Sequence, residues 1–278
     1  MAVVPTYARR ELGAELKRLR EAAKLTQARA ADACSWSLTK VVRLEGGTVT
    51  LTLHDLHALA DLYKAGDDRR TRLVELLERT EEGRWWQAYG QLVPTLMDEF
   101  LALESQATHV HITNMGAFPG LLQCRPYAEA VFADAVRVPD PDDADALVEL
   151  RMKRRRILDG GAQLHAVLGE ALLIMPTGGV DVLKQQLEHV ISLAERGNVT
   201  VQVVPLTVDK ALTLGGVIIF DFEANATSVV YTEHAGGMNA YHQPHEVRRH
   251  KREAARLKAL AWSPEKSLTQ IRARLEDL

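Results

Sequence analysis

Two cysteines, Cys34 and Cys124, occur in 278 residues, which leaves neither a disulfide framework nor a Cys-x-x-Cys metal knuckle and suits a reducing compartment. No run approaches the roughly 18 uninterrupted apolar residues of a membrane span. The opening stretch MAVVPTYARRELG lacks the long apolar segment of a secretory signal. The expectation is therefore a cytoplasmic protein with no membrane association. The phosphate loop ending in Gly-Lys-Ser/Thr, the GxGxxG fingerprint and the GxSxG elbow are all missing. So are fixed-period repeats and low-complexity tracts. A net excess of positive charge is lacking too, with a formal charge of −3 and a pI near 6.4. What is present, 46% apolar and 26% charged residues, belongs to a globular chain able to bury a core, and its length favours two units.

Charge is unevenly spread. Ten Lys/Arg against seven Asp/Glu between Arg9 and Gly66 put that segment at +3 and the remainder at −6, a mildly basic head on an acidic body that fits local contact with DNA. The head reads as short helices. Leu12, Leu16 and Leu19 recur at helical spacing up to Lys24-Leu25, and Thr26 is a good N-cap for a second helix over about Gln27 to Cys34. A turn at Ser35-Trp36 leads to a third helix over Ser37 to Glu45, ended at Gly46-Gly47 where positive φ is expected. A capping box at Thr52 to Asp55 opens a fourth helix with an apolar stripe of Leu53, Leu56, Leu59, Ala60 and Tyr63. A fifth is expected from Asp68 to about Thr80, with Glu81-Glu82-Gly83 as linker.

Beyond it, a helical stretch over Trp85 to Gln106 precedes strand-like runs at His109–Thr113, Gln163–Leu168, Val199–Val204, Val217–Phe222 and Ser228–Thr232. Helical patterns at Pro126–Ala133, Asp143–Leu158, Val180–Glu195 and Pro244–Ala261 alternate with them, and Pro139 to Asp142 marks an exposed break. The expected architecture is α+β: an N-terminal all-α helix-turn-helix bundle of about five helices over residues 1–82, followed by a larger mixed α/β domain over 84–278.

The segment Leu25 to Gly46 has the layout that base reading requires, a helix whose N-terminal side chains reach base edges and a preceding helix that fixes its angle. Ala30, Ala31, Cys34, Val41 and Leu44 fall where two crossing helices bury small or branched groups, leaving Leu38, Thr39, Val42 and Arg43 to face outward together. Through Leu25-Thr26-Gln27, Val41 with Leu44, and Arg43-Leu44-Glu45-Gly46, the segment resembles the phage-repressor-like (XRE or Cro/C1 type) helix-turn-helix family. That resemblance implies that Gln27 opens the positioning helix near a phosphate and that Ser37 caps the recognition helix. It makes Thr39, Lys40 and Arg43 the polar DNA contacts, and Arg20 and Glu45 a structural ion pair that touches no base. Two positions depart from the pattern. Ser35 stands where Gly is common and reaches the required backbone angles only at some cost. Leu38 and Val42 stand where polar readers are common, and either contact thymine methyl groups or form a protein contact.

Residues 84–278 resemble the domain that follows such a head in actinobacterial WhiJ-like, antitoxin-like regulators. The matching stretches are Trp85-Trp86, Glu104 with Ala107, Phe118-Pro-Gly-Leu-Leu-Gln123 with Tyr127-Ala128, Val201-Gln-Val-Val-Pro205 and Tyr231-Thr-Glu233. Gly169-Glu170 replaces an Asp-Glu pair of the family, and Cys124 replaces Thr. The resemblance implies a transcriptional regulator, often paired with a small BldB-like protein; the reading of the residues expects a homodimer on double-stranded DNA, with a C-terminal sensing/dimerisation domain. Antitoxin-like masking of that partner, with autoregulation of its operon, is the alternative. Glu104, Gln123, Glu170 and Glu233 are polar residues beside apolar runs. They read either as converging on a pocket for an effector or partner or as helix caps and surface carboxylates.

Catalytic and metal roles find little support. His109 and His111 share a face if extended, and His242, His245 and His250 gather near the last long helix, but neither cluster has Cys or acid at a recognised ligand spacing. No catalytic residue, metal or cofactor is assigned, and a non-enzyme is expected. The basic runs Arg151–Arg156 and Arg248–Arg252 read as solvated helix faces before phosphate contacts, and Trp85-Trp86 as a core anchor before a base-stacking pair.

Overall fold

Leu12, Leu16 and Leu19 lie on one buried stripe of α1 (Tyr7–Ala22) in the computed structural model, which describes residues 7–49, 51–81, 85–133, 141–210, 215–222, 227–234 and 237–278. The chain divides into two compact units, Met1–Gln106 and Ala107–Leu278. The linker expected at Glu81 to Gly83 falls mostly outside the described residues, as do Pro139 and Asp140 of the expected break.

In the first unit the stripe of α1 packs on α2 (Gln27–Ala33), α3 (Leu38–Glu45), α4 (Leu53–Leu62) and α5 (Asp67–Glu81). The five expected helices are present, and each hydroxyl cap of the short ones is made. Thr26 accepts from the Arg29 amide, Ser37 from Lys40 and Thr52 from Asp55, satisfying donors that a helix start leaves free. Helices of seven to ten residues are too short to persist alone. Burial of Ala30, Ala31, Val41, Leu44, Leu56 and Leu59 in one cluster supplies the stability that propensity lacks.

Backbone demands are local. Ser35, between α2 and α3, sits at φ 55, and Gly47 closes α3 at φ 70. Gly13 lies mid-helix in α1, where glycine is unfavourable. A Cβ there would meet the Glu45 and Leu44 carbonyl oxygens at 2.6 and 2.7 Å, so a bare glycine is what lets α1 touch the end of α3.

The continuous helix expected over Trp85 to Gln106 is instead a 3-10 helix over Trp85–Leu92 and a separate α6 (Thr95–Glu104). Gly90 at φ 51 and Pro94 break the run, and both are residues that interrupt helical hydrogen bonding. Trp86 is buried and donates its indole N–H to Asp98 at 2.7 Å.

The second unit is a six-stranded mixed sheet. Its strands are β1 (His109–Asn114), β2 (Gln163–Gly169), β3 (Val199–Val204), β4 (Val217–Asp221), β5 (Val229–His234) and β6 (Gly237–Tyr241), in the order β3-β2-β1-β4-β5-β6. The pairs β1–β2 and β2–β3 are parallel and the others antiparallel. Parallel neighbours need long crossovers. Here α7 (Arg125–Ala133), α8 (Pro141–Arg154) and the one-turn α9 (Arg156–Asp159) join β1 to β2, and α10 (Val180–Ala194) joins β2 to β3. The register puts Val110 and Ile112, Leu164 and Ala166, Val201 and Val203, and Ile218 and Phe220 on one face, all at 5% exposure or less. The other face carries His111, Thr113, His165, Val167, Ile219 and Asp221 and meets α11 (Pro244–Leu260). The expected strands hold. β6 and a last helix α12 (Pro264–Glu276) were not anticipated: Gly237-Met-Asn-Ala-Tyr241 has no β-branched residue, whereas Ser263-Pro264 is a legible helix start. α12 closes the sheet edge, since Ser267 Oγ accepts from Val203 N and Trp262 N donates to Val203 O.

Two substitutions test this reading of the head. Ser35→Gly should raise stability to denaturant by about 0.5–1 kcal/mol, because it relieves a left-handed backbone. Gly13→Ala should lower it by about 1–3 kcal/mol despite alanine's better helix propensity, because the obstructing atoms are backbone. A stabilising Gly13→Ala would show that α1 and α3 are not in tight contact.

Candidate nucleic-acid interface

The helix α3 has two unlike faces. Val41 and Leu44 are buried in the head's core, whereas Leu38 and Val42 are 50% and 45% exposed and Thr39 and Arg43 are exposed. Residues four apart on a helix are neighbours, so Leu38 and Val42 form an aliphatic row beside the polar row of Thr39 and Arg43. Arg43 makes no ion pair among the described residues. Ser37 caps the helix through its hydroxyl. Lys40 is held differently from the other polar residues of α3: its ammonium pairs with Asp55 at 3.0 Å and lies 3.7 Å over the centre of the Trp36 ring. In this structure it tethers α3 to α4, leaving Thr39 and Arg43 as the free polar groups of the outer face.

What holds α3 at its angle is a carboxylate. Arg20 Nε donates to Glu45 Oε1 at 2.6 Å and Nη2 to Oε2 at 3.0 Å, while Nη1 donates to the Leu25 carbonyl at 2.6 Å. Gln27 adds an amide N–H to Glu45 Oε2 at 2.9 Å, so this side chain, expected near a phosphate, is engaged inside the protein. The two charged side chains are 8% and 4% exposed. The hydrogen bond to Glu45 holds the Arg20 guanidinium above its ordinary pKa against the opposing effect of burial. A forked, two-bond pair fixes direction as well as distance, and it joins α1, the Leu25 turn, the start of α2 and the end of α3.

The four polar residues expected to converge divide between the units, one in the first and three in the second. Glu104 ends α6 in the first unit and is buried. Gln123 is buried, donates to the Phe118 carbonyl at 2.7 Å and accepts from Arg151 Nη1 at 2.7 Å. Glu233 acts electrostatically on the same arginine and reaches Asn114 at 3.5 Å. Glu170 accepts from the Leu206 amide at 2.6 Å. Gln123 is thus held by Arg151, which sequence reasoning placed on a solvated basic face. Burial, then Arg154, push that guanidinium down to about 10, and the Phe132 ring lies 4.1 Å from it.

Lys153, Arg155 and Arg156 of that run line a shallow basic groove of about 570 Å³ with His189 and Arg196. Arg155 can only donate, so His189 Nε2, 2.8 Å from Arg155 Nη1, is the acceptor and the ring is neutral. Burial, followed by Arg155 and Arg196, pushes His189 down to about 4. In the other basic run Lys251 pairs with Asp221 at 2.7 Å, and His250 packs on Tyr241.

A helical bundle whose second and third helices are joined by a tight turn, with the outer face of the third left bare, defines a DNA-binding helix-turn-helix protein. Residues 11–73 match the family described as a helix-turn-helix domain, and the head is XRE-like. Residues 97–273 match the family described as a domain of unknown function, DUF5753. The chain belongs to that family, and pairs an XRE-like head with a WhiJ-like C-terminal domain. No curated protein and no solved structure matches it significantly. Among the described residues no helix is long and apolar enough to cross a membrane.

The ion pair and the histidine each carry a prediction. Glu45→Ala leaves Arg20 buried without its partner and should cost about 3–5 kcal/mol, whereas the double replacement Arg20→Met with Glu45→Leu should cost much less. Equal losses in single and double variants would contradict the burial argument. For His189, a depressed folded pKa means its contribution is complete above pH about 6.5 and is lost as pH falls toward about 4. Partial exposure of the ring discounts the full linkage value of about 3.4 kcal/mol to on the order of 2 kcal/mol. His189→Gln should flatten stability across that window, and an unchanged pH profile would show that the ring is not buried neutral.

Proposed function

We propose that the protein is a sequence-specific transcriptional regulator that reads the DNA major groove through residues 37–45. The observation that carries this reading is the division of α3. Its inner face and its end are fixed by the core and by Glu45, while Thr39 and Arg43 project with no side-chain partner among the described residues. Arginine offers two parallel donors to guanine O6 and N7, and aliphatic side chains complement the thymine methyl. The pairing of Leu38 and Val42 with Thr39 and Arg43 therefore fits a short mixed sequence with at least one guanine and one thymine. One such helix reaches only three or four base pairs, too few to single out a site in a genome. Two heads on an inverted repeat, with half-sites about one helical turn apart, meet that requirement, and the body's part is to hold two heads at that spacing.

Selection of genomic fragments on the full-length protein at stated salt supplies the operator. On that operator Arg43→Ala should weaken binding by about 1–3 kcal/mol, with little loss on random duplex. Replacing a contacted thymine by deoxyuridine should weaken the wild-type protein by about 0.8 kcal/mol, one buried methyl, and leave Leu38→Ala unaffected. Equal losses on specific and random duplexes for Arg43→Ala would remove the arginine from base reading.

A further inference from the structure

Packing between the sheet and α11 is interrupted. Met115, Val167, Val204 and Leu257 form one apolar cluster, and Val217, Ile219, Val230 and Val247 form another. A cavity of about 240 Å³ lies where they fail to join. Val167 and Ile219 line its sheet side, and Ala254 and Ala255 its helix side. Larger side chains at those two alanines would fill it. Thr113 also lines it, at 3% exposure, and its hydroxyl is buried without a hydrogen-bond partner among the described residues. Buried hydroxyls are almost always paired; this one belongs to a residue that lines the space but is itself closed off from solvent.

The charges at the mouth do not balance. Asp221 is fully used: Lys251 at 2.7 Å, the Ser228 hydroxyl at 2.5 Å and His111 at 3.3 Å surround it. Burial opposes its ionisation, but these partners outweigh that and hold the carboxyl far below its ordinary pKa. His165 is fixed by a chain of donors. Gln202 donates its amide to the Trp262 carbonyl at 2.7 Å, so its oxygen accepts from His165 Nε2 at 2.8 Å. The ring Nδ1 is left to accept from Lys258 Nζ at 3.4 Å, a role only the neutral ring can take, and burial pushes its pKa in the same direction, downward. Lys258 meets no carboxylate among the described residues, and its ammonium is the uncompensated charge of the mouth.

We propose that this cavity is a binding site for a small molecule with an apolar body and one anionic end, a carboxylate in the simplest case. The anionic end meets Lys258, and the body covers Val167, Ile219 and Ala254. The space is below the roughly 300–1,000 Å³ of drug-sized sites, so the body has about ten non-hydrogen atoms or fewer. As a ligand site this stands on the cavity alone. As the site of an effector it rests on the regulator reading above.

Ligand-observed NMR titration of the full-length protein with hexanoate and phenylacetate, against hexanol and hexylamine, tests it. Both acids should bind saturably, hexanol about tenfold more weakly and hexylamine not at all. Lys258→Gln, at an exposed position, should weaken the acids about tenfold. Ala254→Leu, with its fold checked by circular dichroism, should abolish binding, and if that variant fails to fold the Lys258→Gln comparison decides. Equal binding of hexanoate to Lys258→Gln and wild type, an alcohol as tight as the acid, or no saturable binding of either acid would reduce the cavity to a packing defect only. Retention of genomic fragments is read separately: acid binding without DNA retention overturns the regulator reading and keeps the site, and the converse does the opposite.

Discussion

Glu45 sits almost out of reach of water and accepts hydrogen bonds from Arg20 and Gln27, so one carboxylate ties the first three helices of the head together. A buried ion pair adds little net stability, because desolvation offsets most of the attraction. Its contribution is direction. The forked contact leaves α3 one orientation relative to α1, Gly13 lets the two backbones meet there, and Lys40 with Asp55 and Trp36 fastens the other side of the helix to α4. A short helix held from its end and two sides can present Thr39 and Arg43 at a reproducible angle. A recognition surface needs that more than it needs affinity.

The body divides its labour by sheet face. One face is continuous apolar packing, with Phe220 and Tyr231 among its valines, leucines and isoleucines. The other mixes His111, Thr113, His165 and Asp221 with valine and isoleucine beneath α11, and there the packing leaves space. Polar groups within a buried face cost stability unless paired. His165 and Asp221 are paired within the chain, while the Thr113 hydroxyl has no partner among the described residues, which makes this the part of the body whose design is least explained by folding alone.

Much of this was legible before any coordinates. Caps at Thr26, Ser37 and Thr52 and the leucine spacing of α1 fix the head, because local hydrogen bonds and helical periodicity are written in adjacent residues. The strained Ser35 was visible for the same reason. Contacts made at long range were not. Nothing near Lys40 in sequence announces Asp55, nothing in Arg151–Arg156 says that its first arginine is withdrawn beside Gln123, and Gly90 and Pro94 were passed over within an otherwise helical pattern. The cavity was hidden as well, since it depends on which strand lies beside which.

The central claim is that the outer face of α3 enters the major groove. Methylation protection of guanine N7 on the selected operator by the full-length protein tests it most directly, because N7 is exposed only in that groove. The account predicts protected guanines in two patches about one helical turn apart, lost in Arg43→Ala. Undiminished N7 reactivity under full occupancy, or protection that survives Arg43→Ala unchanged, would contradict it.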